Sequence, residues 1–537
     1  MARQYLELLI IFLHKMNTTH LHIPDYGIIA AFLFITVYFG FRFSKGQKST
    51  QSYFAANGRI PSWAIGFSIL STLISSITFL AYPGEGYSSN WILLVQGLMV
   101  PIVLLTMIWF IVPLYRKVIG LSTYEYFEKR FGSFARYYSS LGFVLTHFSK
   151  MGTVFFLLSL ALANISGVNT LVIIGVIGVV IIILALMGGI EAVIWLDVIQ
   201  GFMLFGCGVA CLIILLYSIH GGLTEFWHVA KANHRTGFGP YDWDFKKLTF
   251  IVMAINGIFY GVQKYGTDQT IVQRYLTAKS DRSAIRSSLM GVFLLVPVWA
   301  LFMLIGTALF VYYKQNPIPA GMRPDAIFPY FIVNSLPTGV VGLIIASLVS
   351  AAICSLGADL NCLAAVGVED YYKRFYPKKT DKEYLKAGKW IVVLAGIGSL
   401  LIAALYLSAG DEGVLGIVFT LYAIFSGGIA GIFLLGLFSA RANRQGVNIG
   451  IIACILFTAY AFLTSTQIGT GAHKSLLWDL GKYNFNQNKL MLGVYSHLVV
   501  IIVGYIASLL FPKPDIDKKL LYSGWLHVKG DTSSKNA

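Results

Sequence analysis

The amino-acid sequence predicts an all-α polytopic membrane protein, and three observations lead to this prediction. Of its 537 residues, 57% are hydrophobic and only 12% are charged, whereas roughly 25% of the residues of a soluble domain are charged. The hydrophobic residues form long segments that match the thickness of a bilayer. Lys and Arg are concentrated in alternate connections between these segments, which is typical of cytoplasmic loops.

Thirteen segments are long and apolar enough to be transmembrane helices. They lie near residues 26–44, 62–88, 91–115, 137–165, 168–187, 192–218, 248–272, 285–313, 338–369, 388–408, 412–438, 447–466 and 490–511. The basic connections begin at Arg42, Arg116, Arg274, Lys373 and Arg441. With these connections in the cytoplasm, the odd number of spans places the N-terminus outside and the C-terminus inside the cell.

The composition argues against several other classes of protein. The net charge of +16 is spread over the loops and forms no single patch that would bind nucleic acid. The five cysteines lie in apolar segments, without the spacing of a metal site or a disulfide framework. No catalytic cluster is recognisable, so we do not expect an enzyme; His147 is the only histidine well inside a core span, and we expect it to pack or to form hydrogen bonds.

A short apolar run, Leu6 to Leu13, precedes the first span. It is too short to cross a bilayer, and no small-residue cleavage site follows it, so we do not expect a signal peptide. Met16 is an alternative start of the natural chain.

The second span, from Trp63 to Asn90, is apolar but interrupted by hydroxyl residues and by Pro83 and Gly84. Unwound backbone is tolerated at membrane depth only where it is buried in protein or lines a cavity. Discontinuous helices of this kind form the ion and substrate sites of secondary transporters. The alternative is that the small residues only allow two helices to pack closely.

A few charged residues lie well inside the predicted spans. The bases are Lys150 and Lys264, and the acids are Asp197, Asp268 and Asp359. A charge at this depth is costly, so such residues usually face a cavity or a partner. The alternative is that each lysine pairs with a nearby aspartate for structural reasons.

Several sequence motifs, taken together and in order, resemble the sodium:solute symporter family. They are SYFAANGRIPSW, STLISSITF, STYEYFEKRF, GGIEAVIWLDVIQG, DQTIVQRYLTAKS, ALFVYYKQNP and GLIIASLVSAAICSLGADLNCLAAVGVEDYY. Within this family, SSITF, YEYFEKRF, MGGIEAVIW and FVYYKQNPIPAG are most similar to the bacterial sialic acid symporters.

The resemblance implies a leucine-transporter-type fold of two inverted five-helix repeats, formed by spans two to eleven. The second and seventh spans, which begin the two repeats, are both interrupted by small residues. The chain then divides into an N-terminal segment with one extra helix (1–61), a ten-helix core (62–438), two C-terminal helices (439–512) and a cytoplasmic tail (513–537).

The resemblance also implies a sodium site built from oxygen atoms. By position, its ligands are the carbonyls of Ser71, Ile74 and Ala351 and the hydroxyl of Ser355. Position 354 is a cysteine, where the family usually has Ser or Thr. Sulfur suits soft metals, so this site is weakened or is completed by another oxygen.

Asp359 is the candidate for that further oxygen, since it lies one helical turn after Ser355. The second sodium site of similar sialic acid symporters implies an Asp at the position of Asp197, but its hydroxyl positions are here Gly357 and Ala358. We therefore hypothesise a sodium site that includes Asp359, with Asp197 as a further candidate. The alternative is an ion pair between Asp359 and one of the lysines.

The resemblance implies substrate-binding residues as well. Lys150 matches the Arg that receives the substrate carboxylate, and it keeps the charge but not the bidentate fork. Ser75 and Thr78 match hydroxyl residues that contact the same substrate, with close helix packing as the alternative. Gln96 lies one position from an expected Gln, and Lys264 replaces an aromatic residue of sugar symporters.

We therefore expect a sodium-coupled symporter of the bacterial inner membrane that imports a small anionic solute, such as sialic acid, by alternating access. Its partners are sodium ions, the solute and the bilayer, without nucleic acid, and the chain is expected to be monomeric. One alternative is a neutral sugar or polyol symporter, in which the acids pair with the lysines. A membrane sensor that does not transport is another, whereas a channel would require a filter or rings of charge, which the sequence lacks.

Overall fold

The computed structural model of the chain describes residues 22–44, 49–74, 76–318, 321–408, 424–468 and 475–526. Almost all of these residues are helical, which confirms the predicted class. Within them, eight helices are long and apolar enough to span a membrane, and a bent pair of helices raises the number to nine. Four shorter apolar helices accompany these spans.

The α-helices of five or more residues follow one another along the described chain. They are α1 Ile23–Ser44, α2 Thr50–Ala55, α3 Ser62–Leu73, α4 Ser76–Ser88, α5 Leu94–Lys117, α6 Glu125–Phe131, α7 Ser133–Ser166, α8 Thr170–Ser218, α9 Gly222–Ala232, α10 Phe250–Gly266, α11 Gln269–Thr277, α12 Asp281–Gln315, α13 Pro324–Ser335, α14 Val340–Val366, α15 Asp381–Ser408, α16 Ile429–Phe438, α17 Arg444–Ser465, α18 Lys489–Ser508 and α19 Tyr522–Leu526. Two short strands, Gln467–Ile468 and Ser475–Leu476, pair in antiparallel fashion between α17 and α18.

Each predicted span coincides with one or more of these helices, with some differences in detail. The fifth and sixth spans form the single element α8, which is kinked at Gly189, where φ is 55° and ψ is −166°. Glycine reaches positive φ without steric cost, so the chain can turn there. The helices α9 and α13 lie between predicted spans, and the described part of the eleventh span begins at residue 424.

The prediction that the second and seventh spans are interrupted is confirmed, but the expected interruption at Pro83 and Gly84 is wrong, because both residues lie inside α4. Helix α3 ends at Leu73, Ile74 is extended with φ −102° and ψ 121°, and the bent pair formed by α3 and α4 turns through 56°. Helix α10 ends at Gly266, and Asp268 begins α11 as its N-cap. Both breaks expose backbone groups that a continuous helix would have satisfied.

Helix α14 is the centre of the molecule. The most apolar stretch of this span is 89% buried, the largest share among the eight spans. The helix packs against α1, α7, α8 and α15. The additional N-terminal helix α1 contributes Asp25, whose carboxylate accepts hydrogen bonds from the backbone N–H groups of Gly339 and Gly342, each at 2.8 Å. Side chains on α14 therefore face protein rather than lipid.

Candidate functional site

An ion pair joins α7 and α14 in the interior. The ammonium Nζ of Lys150 lies 2.9 Å from Oδ2 of Asp359 and donates a hydrogen bond to Oδ1 at 3.1 Å. Asp359 is completely buried, whereas 21% of the Lys150 side chain is exposed. The alternative considered for Asp359, an ion pair with a lysine, is therefore present in the structure.

His147 extends this pair towards the second broken helix. It lies three residues before Lys150 on α7 and therefore on the same face of the helix. Its Nδ1 lies 3.0 Å from Oδ1 of Asp359, and its Nε2 lies 3.3 Å from Oδ2 of Asp268. The ring packs on Phe143, with the ring centroids 4.1 Å apart.

Asp268 lies in the break between α10 and α11, where it has two roles. Its carboxylate accepts hydrogen bonds from the backbone N–H of Thr270, at 2.9 Å, and from the Thr270 hydroxyl, so it caps α11. Its Oδ2 also accepts a hydrogen bond from Nζ of Lys264 at 2.5 Å. Lys264 is almost completely buried and donates a second hydrogen bond, at 3.2 Å, to the Thr270 hydroxyl.

These contacts form one continuous chain of side chains, which we call the charged row: Lys150, Asp359, His147, Asp268 and Lys264. The row connects α7 and α14 with the break that follows α10. The carboxylates lie between the cations, as buried charges require. Lys150 is its most exposed member.

A second charged group, the Asp197–Arg274 pair, is completely buried. Nη2 of Arg274, on α11, lies 2.9 Å from Oδ2 of Asp197, on α8, and neither side chain is exposed to solvent. The hydroxyl of Ser68 donates to the same Oδ2 and accepts from Nε of Arg274 at 2.8 Å. The pair therefore ties α3, α8 and α11 together.

The assignment of Arg274 to a cytoplasmic connection is wrong, and so is the expectation that Lys150 and Lys264 are the only interior cations. Arg274 lies on α11 and is fully buried. Because α11 is polar in composition, its sequence reads as a loop although it packs against protein on all sides. The position of Arg274 close after Asp268 was the signal available in the sequence.

Five of the six predicted sodium ligands lie on α3, at its end or on α14, and these two helices are in contact; the sixth, Asp197, lies on α8. Ser71 is in the last turn of α3, whose carbonyls lack helical partners, and its hydroxyl donates to the Asp197 backbone carbonyl at 2.7 Å. Ile74 is the extended residue of the break. On α14, Ala351 and Ser355 are buried, and the Ser355 hydroxyl has no hydrogen-bond partner among the described residues.

This set of atoms fits a hard monovalent cation. The break provides carbonyl oxygens, and the unpartnered Ser355 hydroxyl is a buried polar atom for which an ion would compensate. The thiol of Cys354 lies beside the Asp197 carboxylate, whose Oδ1 also lacks a hydrogen-bond partner within the described chain. Asp359 belongs to the charged row instead, so the two acids predicted for sodium lie in different groups, and their roles as ligands stay predictions.

Only some of the predicted substrate-binding residues belong to the charged row. Lys150 and Lys264 are connected through the charged row, whereas Thr78 on α4 and Gln96 on α5 are buried side chains. The hydrogen bonds of the row involve neither Thr78 nor Gln96, as far as the chain is described. Ser75 lies outside the described residues. The roles of these residues in binding stay predictions.

The bundle contains two broken helices, and buried charges and oxygen atoms without hydrogen-bond partners lie near the breaks in the described chain. This arrangement is typical of a secondary active transporter. Comparison with known proteins makes this class more specific. The chain belongs to the sodium:solute symporter family, because the model of that family matches residues 53–454. The resemblance inferred from the motifs is thus confirmed, and the protein is a multi-pass membrane transporter rather than an enzyme.

Two curated relatives are bacterial. The chain is 34% identical over 491 residues to the sodium/sialic acid symporter SiaT of Proteus mirabilis (strain HI4320), covering 90% of this chain and 94% of that protein. It is 32% identical over 493 residues to the sodium/sialic acid symporter NanT of Aliivibrio fischeri (strain ATCC 700601 / ES114), covering 91% and 93% of the two chains.

Solved structures support the fold. A substrate-bound, outward-open Na⁺-coupled sialic acid symporter superimposes with a TM-score of 0.84 at 32% identity, over 92% of this chain and 99% of that chain. The nucleobase-cation symporter Mhp1 superimposes with a TM-score of 0.55 at 13% identity, over 86% and 95% of the two chains, which shows the fold alone. The leucine-transporter-type fold inferred from the resemblance is confirmed.

Proposed function

We propose that this chain imports an anionic sugar of the sialic acid type together with sodium. The observation that carries the proposal is the Lys150 side chain, 21% of which is exposed, at one end of an otherwise buried charged row that reaches the second broken helix. Two relatives that share about a third of the sequence are sodium/sialic acid symporters. A carboxylate is the natural partner of such an ammonium.

Sodium binds, in this proposal, where α3 ends. The carbonyls of Ser71, Ile74 and Ala351 and the hydroxyl of Ser355 are its ligands, and Asp197 is a further candidate through its unpartnered Oδ1. Sodium is cargo here: its binding fixes the break between α3 and α4 and lowers the ordering cost that solute binding would otherwise carry. The affinity of each ligand therefore rises when the other is bound.

The solute lies, in this proposal, beside Lys150, with Thr78, Gln96 and Ser75 contributing polar contacts. A lysine is a compact point charge and cannot form the two parallel hydrogen bonds of an arginine, so we expect a single charge-assisted contact to the solute carboxylate. The buried Lys264 supports the charge balance of the row from its far end.

The driving force follows from the membrane potential. At about −100 mV inside, each net positive charge that enters contributes roughly 2.3 kcal/mol, which corresponds to roughly fiftyfold accumulation. The basic connections face the cytoplasm in this proposal, with the N-terminus outside and the C-terminus inside a bacterial inner membrane. The ten-helix core (62–438) transports as a monomer, and alternating access arises from rocking of one repeat against the other.

Purified full-length protein in proteoliposomes tests the proposal. We expect uptake of labelled N-acetylneuraminate in an inward sodium gradient and loss of that uptake when choline replaces sodium. Equal uptake in both buffers would show that solute and sodium are not coupled.

A neutral sugar or polyol is the second candidate solute. It is favoured by the pairing of both lysines with aspartates, Lys150 with Asp359 and Lys264 with Asp268, which leaves neither ammonium without an anion. A parallel uptake screen of hexoses and inositols separates the two candidates. Sodium-driven uptake of a neutral solute, without uptake of N-acetylneuraminate, would support the second one.

A further inference from the structure

We propose that Asp359 is a built-in substitute for the solute carboxylate on Lys150, and that His147 transmits its displacement to the break between α10 and α11. The inference rests on the proposed function in one respect, namely that the solute is an anion. It assigns roles to His147 and Asp268, which are positioning residues because they act on the solute through Asp359 and Lys150.

The exchange begins at the accessible end of the charged row. Lys150 is held by a carboxylate that is itself completely buried, while part of the lysine side chain remains exposed. An ammonium has three N–H donors, and Asp359 offers it only two oxygen atoms, so a second carboxylate can also bind to it. Two carboxylates on one ammonium repel each other, so arrival of an anionic solute weakens the contact between Lys150 and Asp359.

This exchange changes the contacts of His147. Its two ring nitrogens face two different carboxylates, at 3.0 Å to Asp359 and 3.3 Å to Asp268, and one face of the ring packs against Phe143. When Asp359 loses part of its bond to Lys150, the ring of His147 is the hydrogen-bonding neighbour that remains among the described side chains. A ring that moves closer to Asp359 moves away from Asp268, whose contact is already the longer one.

The displacement reaches both broken helices through Asp268. This carboxylate keeps Lys264 and the N-terminus of α11 as partners, so it stays attached to the second broken helix when His147 withdraws. The contact between α7 and the break is then released. Because α11 also carries Arg274, which holds Ser68 of α3, the freed helix can move together with the first broken helix.

Three variants test the inference in purified full-length protein. Asp359→Asn removes the internal anion but keeps the side-chain shape. His147→Phe keeps a ring but removes both nitrogens, and His147→Gln restores a polar side chain in case the Phe variant does not fold. His497→Phe is the matched control, because His497 is also a buried histidine, stacked on Phe259 with centroids 5.2 Å apart, outside the charged row.

The measurements are equilibrium binding and sodium-driven uptake of labelled N-acetylneuraminate. We expect Asp359→Asn to tighten solute binding by about fivefold. His147→Phe should lower the maximal uptake rate by roughly tenfold or more, with solute affinity nearly unchanged, and His147→Gln should lie between it and the wild type. His497→Phe should behave as the wild type.

Each contrary outcome identifies a different error. Weaker solute binding and a higher sodium requirement in Asp359→Asn would make Asp359 a sodium ligand and overturn the inference. Wild-type uptake rates in both His147 variants would overturn the role of His147. If the wild-type protein itself binds no carboxylated sugar, the proposed function fails in the wild-type arm, and Asp359 then has no carboxylate to replace.

Discussion

The Asp197–Arg274 pair and the charged row, which are two of the buried charged groups, use the same chemistry but differ in access. In the Asp197–Arg274 pair neither side chain is exposed, and the guanidinium, the carboxylate and Ser68 satisfy one another. In the charged row, 21% of the Lys150 side chain remains exposed. The comparison shows that burial of a charge alone does not identify a binding residue, and it is the exposed part of Lys150 that leads us to propose binding there.

The energetic cost of losing a partner should differ between the groups in the same way. A fully buried charge without a partner has no water to replace it, so removal of one partner is strongly destabilising. In the charged row, the buried Asp359 carboxylate keeps His147 as a second partner when Lys150 is removed, so the loss of stability should be smaller. The first group should therefore respond to substitution mainly through stability, and the second mainly through solute affinity.

The largest effect is expected in the Asp197–Arg274 pair. Arg274→Gln should destabilise the protein by about 3–5 kcal/mol, because the Asp197 carboxylate remains buried without its cation. Thermal unfolding in detergent and the yield of folded protein in the membrane measure this loss. The double variant Asp197→Leu with Arg274→Met should recover much of the stability, and a single variant as stable as the wild type would contradict a structural role.

Lys150→Ala should produce the next largest effect, on affinity. Loss of one charge-assisted hydrogen bond should raise the half-saturating concentration of an anionic solute by about 10- to 150-fold, with a smaller change in thermal stability than in Arg274→Gln. Lys150→Arg, which keeps the charge, is the control. A neutral-sugar carrier should instead lose mainly stability, so unchanged solute affinity in Lys150→Ala would refute an anion site at this residue.

Variants at the proposed sodium site should have more moderate effects, in opposite directions. Cys354→Ser replaces a soft sulfur by a hydroxyl oxygen and should lower the sodium concentration needed for half-maximal uptake, by about fivefold. Ser355→Ala removes the unpartnered hydroxyl and should raise that concentration by a similar factor. Both are measured in uptake at varied sodium. If both variants had the same sodium dependence as the wild type, this result would contradict an ion site on α14.

The smallest effect on stability is expected when the ion pairs of Glu128 are removed. Glu128, on α6, is 26% exposed and pairs with Arg136 at 2.5 Å and with Arg374. Burial raises the pKa of Glu128, but hydrogen bonds from Arg374 and Arg136 outweigh it and hold the pKa below the usual 4.5. Glu128→Gln should cost less than about 1 kcal/mol at neutral pH.

The pH dependence of this effect has a defined sign. Because the pKa of Glu128 is lower in the folded protein, its stabilisation is complete above about pH 4.5 and is lost as the pH falls below that value. Melting temperatures of the wild type and of Glu128→Gln should therefore converge on acidification. A difference that grows towards low pH would contradict the assignment.

Much of the fold could be predicted because its signals are local. The apolar lengths predict the spans, and the clustered hydroxyl and glycine residues predict both breaks. Contacts between distant residues could not be predicted in the same way. Arg274 lies in a polar helix that only tertiary packing buries. His147 contacts two aspartates that are 121 and 212 residues away in the sequence. The pairing of Asp359 was considered, but sequence alone could not decide between a lysine and sodium as its partner.

Chemical labelling of a cysteine at position 150 tests the central claim, that the charged row has an accessible end where the solute binds. All five native cysteines are buried, and Cys354 lies beside the closed Asp197–Arg274 pair, so it serves as an internal control. The account predicts that a small thiol reagent modifies Lys150→Cys but not Cys354. It also predicts that N-acetylneuraminate, at a concentration that saturates Lys150→Ala, slows the modification in sodium but not in choline. Modification of Cys354 with no reaction at position 150, or no protection by the solute in sodium, would contradict it.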